Sequence, residues 1–289
     1  MAGLGTRFFP ASHACKKELF PVVGPDGIAR ALFHYHLIEL TAAAIDEICL
    51  IVQPGEEAIV RAYLNGPGAA YLERLANESA LIREAAEMLE LGERVSFVEQ
   101  TTQEGYGHAV FQTRAFANGE SILLCLGDHL FRGTKSSPYR AMVDVGRAAS
   151  GRSVSAVNRI GPNELKGYGT IAGKRRPEDP RLIDVTRIIE KPDLETARAV
   201  LHVDGLPGDT WLGWLGLHIV SPGLYEVLAR MIREDVRDRG EFQLTRAQEL
   251  LCQAEGYLAV ELAAARRFDF GTPDDFLTST VAFRQARHG

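Results

Sequence analysis

Three strand-sized apolar runs, DEICLIV, RVSFVEQ and SILLCLGD, fall in the first half of the chain with helix-like stretches between them. That alternation is the pattern of a parallel sheet covered by helices, and it restricts the fold more than any other feature. A helix is expected from about residue 56, a long amphipathic helix over 69–91, and another starting near His108. The last run ends in Gly-Asp, and open α/β sheets gather their ligand groups at such strand ends. Beyond Ser150 the texture changes to shorter β-rich pieces, SVSAVNRI, YGTIAG, LIDVTRIIEKP and WLGWLGLHIVSP, with GKRRPEDP as a charged hairpin tip. Helices return over 223–234, over 244–254 and near the C-terminus, and the absence of repeats or linker-like tracts favours one compact domain.

Composition excludes several classes. With 46% hydrophobic and 24% charged residues, the 289-residue chain is neither disordered nor membrane-embedded. Its apolar runs fall far short of the roughly 20 residues a spanning helix needs, and no signal-peptide pattern is visible. Cys15, Cys49, Cys125 and Cys252 are widely separated and show no zinc-ligand spacing, which suits a reduced, cytoplasmic protein. A net charge of -6 argues against nucleic acid as a partner, but leaves room for a locally basic pocket that takes a small phosphorylated ligand. His34 and His36 sit at alternate positions of an expected helix, on different faces, and make no metal pair.

The N-terminal stretch MAGLGTRFFPASHACKKELFP carries the chemistry. Glycine has no Cβ and tolerates positive φ, so GLGTR lets backbone approach a ligand closely. Successive amides in such a turn can form a concavity for phosphate oxygens. The stretch is neither GxGxxG nor a P-loop, and a plain turn would read the same way. Arg7 directly after it and Lys16-Lys17 ten residues on point toward phosphate.

The residues AGLGTR, PAS and KKELFPV resemble the opening of the sugar-nucleotide pyrophosphorylases, most closely the bacterial-type UTP-glucose-1-phosphate uridylyltransferases. EQTTQEGYGHAV resembles their base-binding segment, LLCLGDHLF their strand end, and GYGTI their sugar-contact turn. IIEKP, EFQLTRA and FDFGTPDDF follow in the family's order, so the likeness runs from Ala2 to about Phe276. It implies a Rossmann-like α/β nucleotidyltransferase fold, with a mixed, mostly parallel central sheet flanked by helices and a smaller β-rich part. Residues 1–150 would form a nucleotide-binding half, 151–265 a sugar-binding half, and 266–289 a metal-ligand turn and C-terminal helix.

In the implied reaction a sugar 1-phosphate oxygen attacks the α-phosphorus of a nucleoside triphosphate and displaces pyrophosphate. The second pKa of a phosphate monoester is near 6, so the nucleophile arrives ionised and needs no histidine base. What remains is to hold two polyanions together and to stabilise charge. The resemblance assigns Arg7 to the β,γ-phosphates, Lys17 to a place between the reacting phosphates, and Lys191 to the sugar phosphate. Ala2, Gly3, Leu4, Gly5 and Thr6 would line the nucleotide, Gln100 would pair with the uracil edge, and Gly105 would leave space for the base. Gly169 and Glu190 would meet the sugar. Asp128 and Asp269 would ligate Mg²⁺, which favours carboxylates together with substrate phosphates; a helix cap is the plain alternative for Asp128. The implied partners are UTP and a sugar 1-phosphate, glucose 1-phosphate by default, with no nucleic acid and no membrane, and a homo-oligomer is left open. Thymidylyl transfer and a catalytically silent sugar-nucleotide-binding module are the rival readings.

The chain also departs from the family. His13 stands where lysine is common, Lys16 replaces the proline before the catalytic lysine, Arg246 replaces the aspartate of LTDA, and GPDGIARAL is longer than the usual turn. Trp211 and Trp214 lie where the uridylyltransferases usually show Asn-Leu-Ala. In the family the glycine turn follows a short apolar strand of the form Lys-Ala-Val-Ile-Pro, central in the sheet. No such segment stands between Met1 and the turn, and the expectation is that about ten residues belong upstream.

Overall fold

Pairing among the strands divides the sheet structure into pieces whose gaps and ends position the site. The structure, a computed structural model, describes Gly3, residues 5–133 and residues 136–286. The largest piece runs in the order Ile122–Cys125, Trp211–Val220, Val154–Ile160, Leu258–Glu261, Leu182–Glu190, Gly169–Arg175. Leu212 and Gly213 also pair with Ile171 and Thr170, so five of these strands close on themselves. Ile48–Val52 and Val95–Glu99 form a separate parallel pair, while His129–Gly133 pairs antiparallel with Ala265–Asp269.

The expected mostly parallel sheet is not what forms. Among the described residues the parallel ladders are Ile48–Val52 with Val95–Glu99 and Leu258–Glu261 with Val154–Ile160, beside an isolated parallel bridge of Gly173 with Val203; the other ladders are antiparallel. The reason lies in the connections. Gly169–Arg175 and Leu182–Glu190 are joined by the charged turn at 176–181, and a short turn permits only an antiparallel pair.

The helix expected over 69–91 is broken into Ala69–Arg74 and Ser79–Glu93. Glu78 takes a non-helical φ of -107° and ψ of 73° between them, at Asn77-Glu78-Ser79, where Asn and Ser compete for backbone hydrogen bonds and favour helix ends. The other expected helices form as Glu57–Leu64, Tyr106–Gln112, Gly223–Arg233, Leu244–Glu255 and Pro273–Gln285. Trp211–Val220 is buried along its whole length, as befits a strand with neighbours on both edges and cover on both faces. His34 and His36 are both buried in the helix Leu32–Ala42 and face different partners, the hydroxyls of Tyr63 and Tyr139. No helix among the described residues is long and apolar enough to cross a membrane.

Candidate active site

Strand pairing brings two distant aspartates together. Asp269, the last residue of its strand, stands opposite His129, the first residue of the strand that follows Asp128. The Phe270 amide donates to the Asp128 carbonyl at 2.8 Å, which fixes the two chain segments side by side. His129 Nε2 then lies 3.3 Å from Asp269 Oδ2 and 3.9 Å from Asp128 Oδ1, and Nδ1 is 3.3 Å from the Leu215 carbonyl.

Lys17 reaches this cluster from the N-terminal segment. Its Nζ donates to Asp128 Oδ2 at 2.6 Å, a contact spanning 111 positions of sequence. Gly271 lies at the centre: a Cβ there would stand 2.9 Å from Asp269 Oδ1, 3.3 Å from Asp128 Oδ2 and 3.7 Å from Arg7 Nη1. Arg7, Lys17, Asp128 and Asp269 therefore meet around one point. Burial alone would raise the Asp128 carboxyl, but His129 and the Lys17 ammonium outweigh it and hold the group below its ordinary value. Asp269 is likewise pushed up by burial and pulled down further by the His129 hydrogen bond and charge, by Arg267 and by the Gly271 amide, to about 2. Both carboxylates are thus held as anions.

The glycine turn is tied to the same place. Gly5 has a φ of 66° and its carbonyl accepts from the Phe8 amide at 2.9 Å. Lys16 Nζ donates to the Gly3 carbonyl at 2.8 Å and pairs with Glu56 Oε1 at 2.8 Å, so the lysine that departs from the family pattern anchors the turn. Gly3, Gly5, Thr6, Lys17 and Asp128 share the wall of one cleft of about 920 Å³. Ala2 and Leu4 lie outside the described residues.

Gln100 and Gly105 line the same cleft. Gln100 is buried, and its amide nitrogen donates to the Gly105 carbonyl at 3.2 Å and faces His108 Nδ1 at 3.2 Å. Packing also requires a glycine at Gly105. Its φ is 108°, and a Cβ would press on Glu241 Cβ at 2.8 Å and the Phe242 carbonyl at 3.0 Å. The 104–107 turn is bonded to Phe242 through the Phe242 amide to Glu104 and the Gly107 amide to Phe242.

A second corner is formed by Gly169 and Glu190, cross-strand neighbours in the hairpin. A Cβ on Gly169 would stand 2.6 Å from Trp214 Cδ1 and 3.0 Å from Glu190 Oε2. Glu190 Oε2 accepts from Thr245 Oγ1 at 2.8 Å, and the buried indole nitrogen of Trp214 has no hydrogen-bond partner among the described residues. Lys191 belongs to this corner: its Nζ lies 3.6 Å from Glu190 Oε1, and its backbone holds a φ of 48°.

His129, Thr245 and the anchoring role of Lys16 emerge only in the structure. His129 sits directly after the strand-end Gly-Asp, and Thr245 lies inside the EFQLTRA stretch, so position next to an assigned residue was the available signal.

Comparison with known proteins follows the same lines. The nucleotidyl transferase family pattern matches residues 1–286. The chain belongs to that family. Among curated relatives, UTP-glucose-1-phosphate uridylyltransferase 1 of Staphylococcus saprophyticus is 26% identical over 284 residues, covering 98% of this chain and 90% of that protein. The Bacillus subtilis UTP-glucose-1-phosphate uridylyltransferase is 27% identical over 288 residues, covering 98% and 88%. A crystal structure of an apo UDP-glucose pyrophosphorylase superposes with a TM-score of 0.80 at 21% identity, covering 98% of this chain and 95% of the other. A UDP-glucose pyrophosphorylase complexed with UDP-glucose gives 0.76 at 20% identity, covering 99% and 97%. At these identities the two structures bear on the fold alone, which is that of this nucleotidyl transferase family.

Proposed function

We propose that this nucleotidyl transferase converts UTP and glucose 1-phosphate to UDP-glucose and pyrophosphate. The carrying observation is the meeting of Lys17, Asp128, Asp269 and Arg7 around Gly271, beside the glycine turn. The printed names of the full-length relatives supply the choice of base and sugar.

On this reading an oxygen of the sugar 1-phosphate forms a bond to the α-phosphorus of UTP, the α–β bridging bond breaks, and pyrophosphate leaves. Arg7 binds the outer phosphates, and Lys17 is the charge-stabilising group between the two reacting phosphates. Before substrate arrives Lys17 is neutralised by Asp128, so the ammonium is stored at the site rather than free in solvent. Lys191 holds the sugar phosphate, while Glu190, steadied by Thr245, accepts from sugar hydroxyls. Gln100 supports the base through the 100–105 turn as well as by its own amide.

Two ionised carboxylates whose oxygens converge on Gly271 suit Mg²⁺, which takes one or two carboxylates and completes its shell with water and substrate phosphates. Bound by Asp128 and Asp269, it would neutralise phosphate charge. The assignment carries with it a nucleotide-binding half at 1–150, a sugar-binding half at 151–265, and a cytoplasmic location, where both substrates occur.

The test is pyrophosphate release over a grid of nucleoside triphosphates and sugar 1-phosphates. UTP with glucose 1-phosphate is expected to give the highest kcat/KM. A preference for dTTP would move the assignment to thymidylyl transfer, and binding without release would make the protein a silent sugar-nucleotide module.

A further inference from the structure

Arg266 and Arg267 are neighbours in the strand Ala265–Asp269. Side chains alternate between the faces of a strand, so Arg266 shares a face with Phe268, and Arg267 shares the other with Asp269. The contacts agree. The Arg266 guanidinium carbon lies 5.0 Å from the centre of the ring of Phe268, a core residue, and Arg266 itself is exposed. Arg267 turns the other way, with Nη2 3.3 Å from Asp269 Oδ2 and its guanidinium carbon 4.3 Å from the centre of the Tyr168 ring. Those two contacts belong to different corners of the site. Asp269 is part of the ionic cluster around Gly271. Tyr168 directly precedes Gly169, and its carbonyl accepts from the Lys191 amide at 3.1 Å, so it belongs to the corner that holds Glu190. Arg267 therefore bridges the place assigned to the phosphates and the place assigned to the sugar.

A sugar 1-phosphate has to make the same bridge, with its ring at Gly169 and Glu190 and its phosphate facing Lys17. An arginine suits the span between them, because the guanidinium presents a rigid, planar fork of N–H donors that matches phosphate oxygens. Little of that fork is spent here. Among the described residues the side-chain partners of Arg267 are one oxygen of Asp269 and the Tyr168 ring. Asp269 does not depend on it, since the Gly271 amide donates to Oδ1 at 2.8 Å and His129 Nε2 lies 3.3 Å from Oδ2. Packing on the Tyr168 ring steadies the guanidinium. The Arg267 side chain keeps 18% of its surface exposed, so a ligand can reach it.

We propose that Arg267 is a further substrate-binding residue, donating to the phosphate of the sugar 1-phosphate and sharing it with Lys191. The inference rests on the reading of the site as one that joins a nucleotide to a sugar 1-phosphate, and depends neither on the base nor on the particular sugar. Two ionised carboxylates, Asp128 and Asp269, would repel an incoming phosphate dianion. Arg267 offsets that repulsion at Asp269, as Lys17 does at Asp128.

Wild type, Arg267→Gln, Arg267→Lys and Arg266→Gln test it, the last removing the same charge from the opposite face of the strand. Each is assayed with the nucleoside triphosphate and sugar 1-phosphate that wild type uses best. Arg267→Gln is expected to raise the KM for the sugar 1-phosphate about tenfold or more and that for the nucleotide less than about threefold, as loss of one substrate's contact does. Lysine restores the charge without the fork, so Arg267→Lys should recover part of the loss. Arg266→Gln should behave as wild type. A role only as counterion to Asp269 gives another pattern: with that cation gone Asp269 holds Mg²⁺ more tightly, so the half-saturating Mg²⁺ concentration falls while the KM for the sugar 1-phosphate stays unchanged. That pattern would overturn the proposal, and so would equal losses in Arg266→Gln and Arg267→Gln. If thermal melts show that Arg267→Gln does not fold, Arg267→Lys carries the test, and a wild-type KM for the sugar 1-phosphate in it would overturn the proposal. Wild type that releases no pyrophosphate with any pair would overturn the reaction and this role with it, whereas an active wild type matched by Arg267→Gln would overturn the role alone.

Discussion

Around Gly271, Lys17, Asp128 and Asp269 meet as ions, with Lys17 Nζ 2.6 Å from Asp128. Around Gly169 the support is of the opposite kind. Trp214 packs there on His218 and Tyr257, with ring centroids 5.9 Å away in each case. Beneath it Ser155 Oγ shares hydrogen bonds with His218 Nδ1 at 2.5 Å and the Tyr257 hydroxyl at 2.9 Å. The Gln248 amide donates to Tyr257 at 3.0 Å and to His218 Nδ1 at 3.3 Å. Every member of this second network is buried and neutral. One corner is an ionic cluster of the kind that acts where charge develops, and the other is a rigid, neutral hydrogen-bonded base.

Lys17→Ala should show the largest effect, lowering turnover by about two to three orders of magnitude while thermal unfolding changes little, the usual cost of deleting one preorganised charge-stabilising group. A folded Lys17→Ala protein with near wild-type turnover would remove the ionic cluster from the chemistry.

Next in size is the pH response of stability, which belongs to the neutral side. Burial lowers His218 to about 3, and His34 and His36 to about 4. The unfolded chain takes up these protons near pH 6.5 and the folded chain does not, so stability falls as pH drops through that window. His218 alone should account for a loss on the order of 2 kcal/mol by pH 4.5. Asp128 and Asp269, both lowered in the folded state, contribute stability above the unfolded carboxylate range and lose it only at lower pH. Denaturant melts from pH 7 to 4.5 measure the slope, and His218→Gln should flatten it. An unchanged slope would show that His218 is not held neutral.

Glu190→Gln sharpens the comparison at the other corner. It should raise the KM for the sugar phosphate about tenfold and leave that for UTP nearly unchanged, as loss of a binding contact does. Equal change in both would place Glu190 outside sugar recognition. Gln100→Ala should have the smallest effect, raising the KM for UTP by a few-fold, since Phe242 also holds the 104–107 turn. A larger effect on the sugar phosphate would assign Gln100 elsewhere.

The charged cluster was readable in sequence because its parts carry local signals: a lysine after a glycine turn, and aspartates at strand ends. Their convergence depends on the pairing of Asp269 with His129, which nothing local encodes. His129 carries only a weak signal, its place directly after the strand-end Gly-Asp, since a histidine there also reads as an ordinary strand residue. Gly105, expected to leave room for a base, also meets a packing requirement from Glu241 and Phe242, far away in sequence, that no local pattern announces. Strand positions were legible from apolar runs. Strand directions were not, because parallel and antiparallel partners draw on the same buried residues, and the choice depends on which strands pair and how they are connected.

The central claim is that Asp128 and Asp269 act as one ion site facing Lys17, and a double-mutant cycle on Mg²⁺ dependence tests it most directly. Initial rates are titrated with Mg²⁺ in wild type, Asp128→Asn, Asp269→Asn and the double variant. Each single change should raise the half-saturating Mg²⁺ concentration by about tenfold or more, and the double variant should be little worse than the weaker single, the non-additivity of groups sharing one ligand. Single variants with the wild-type titration, or penalties that simply multiply in the double, would contradict it.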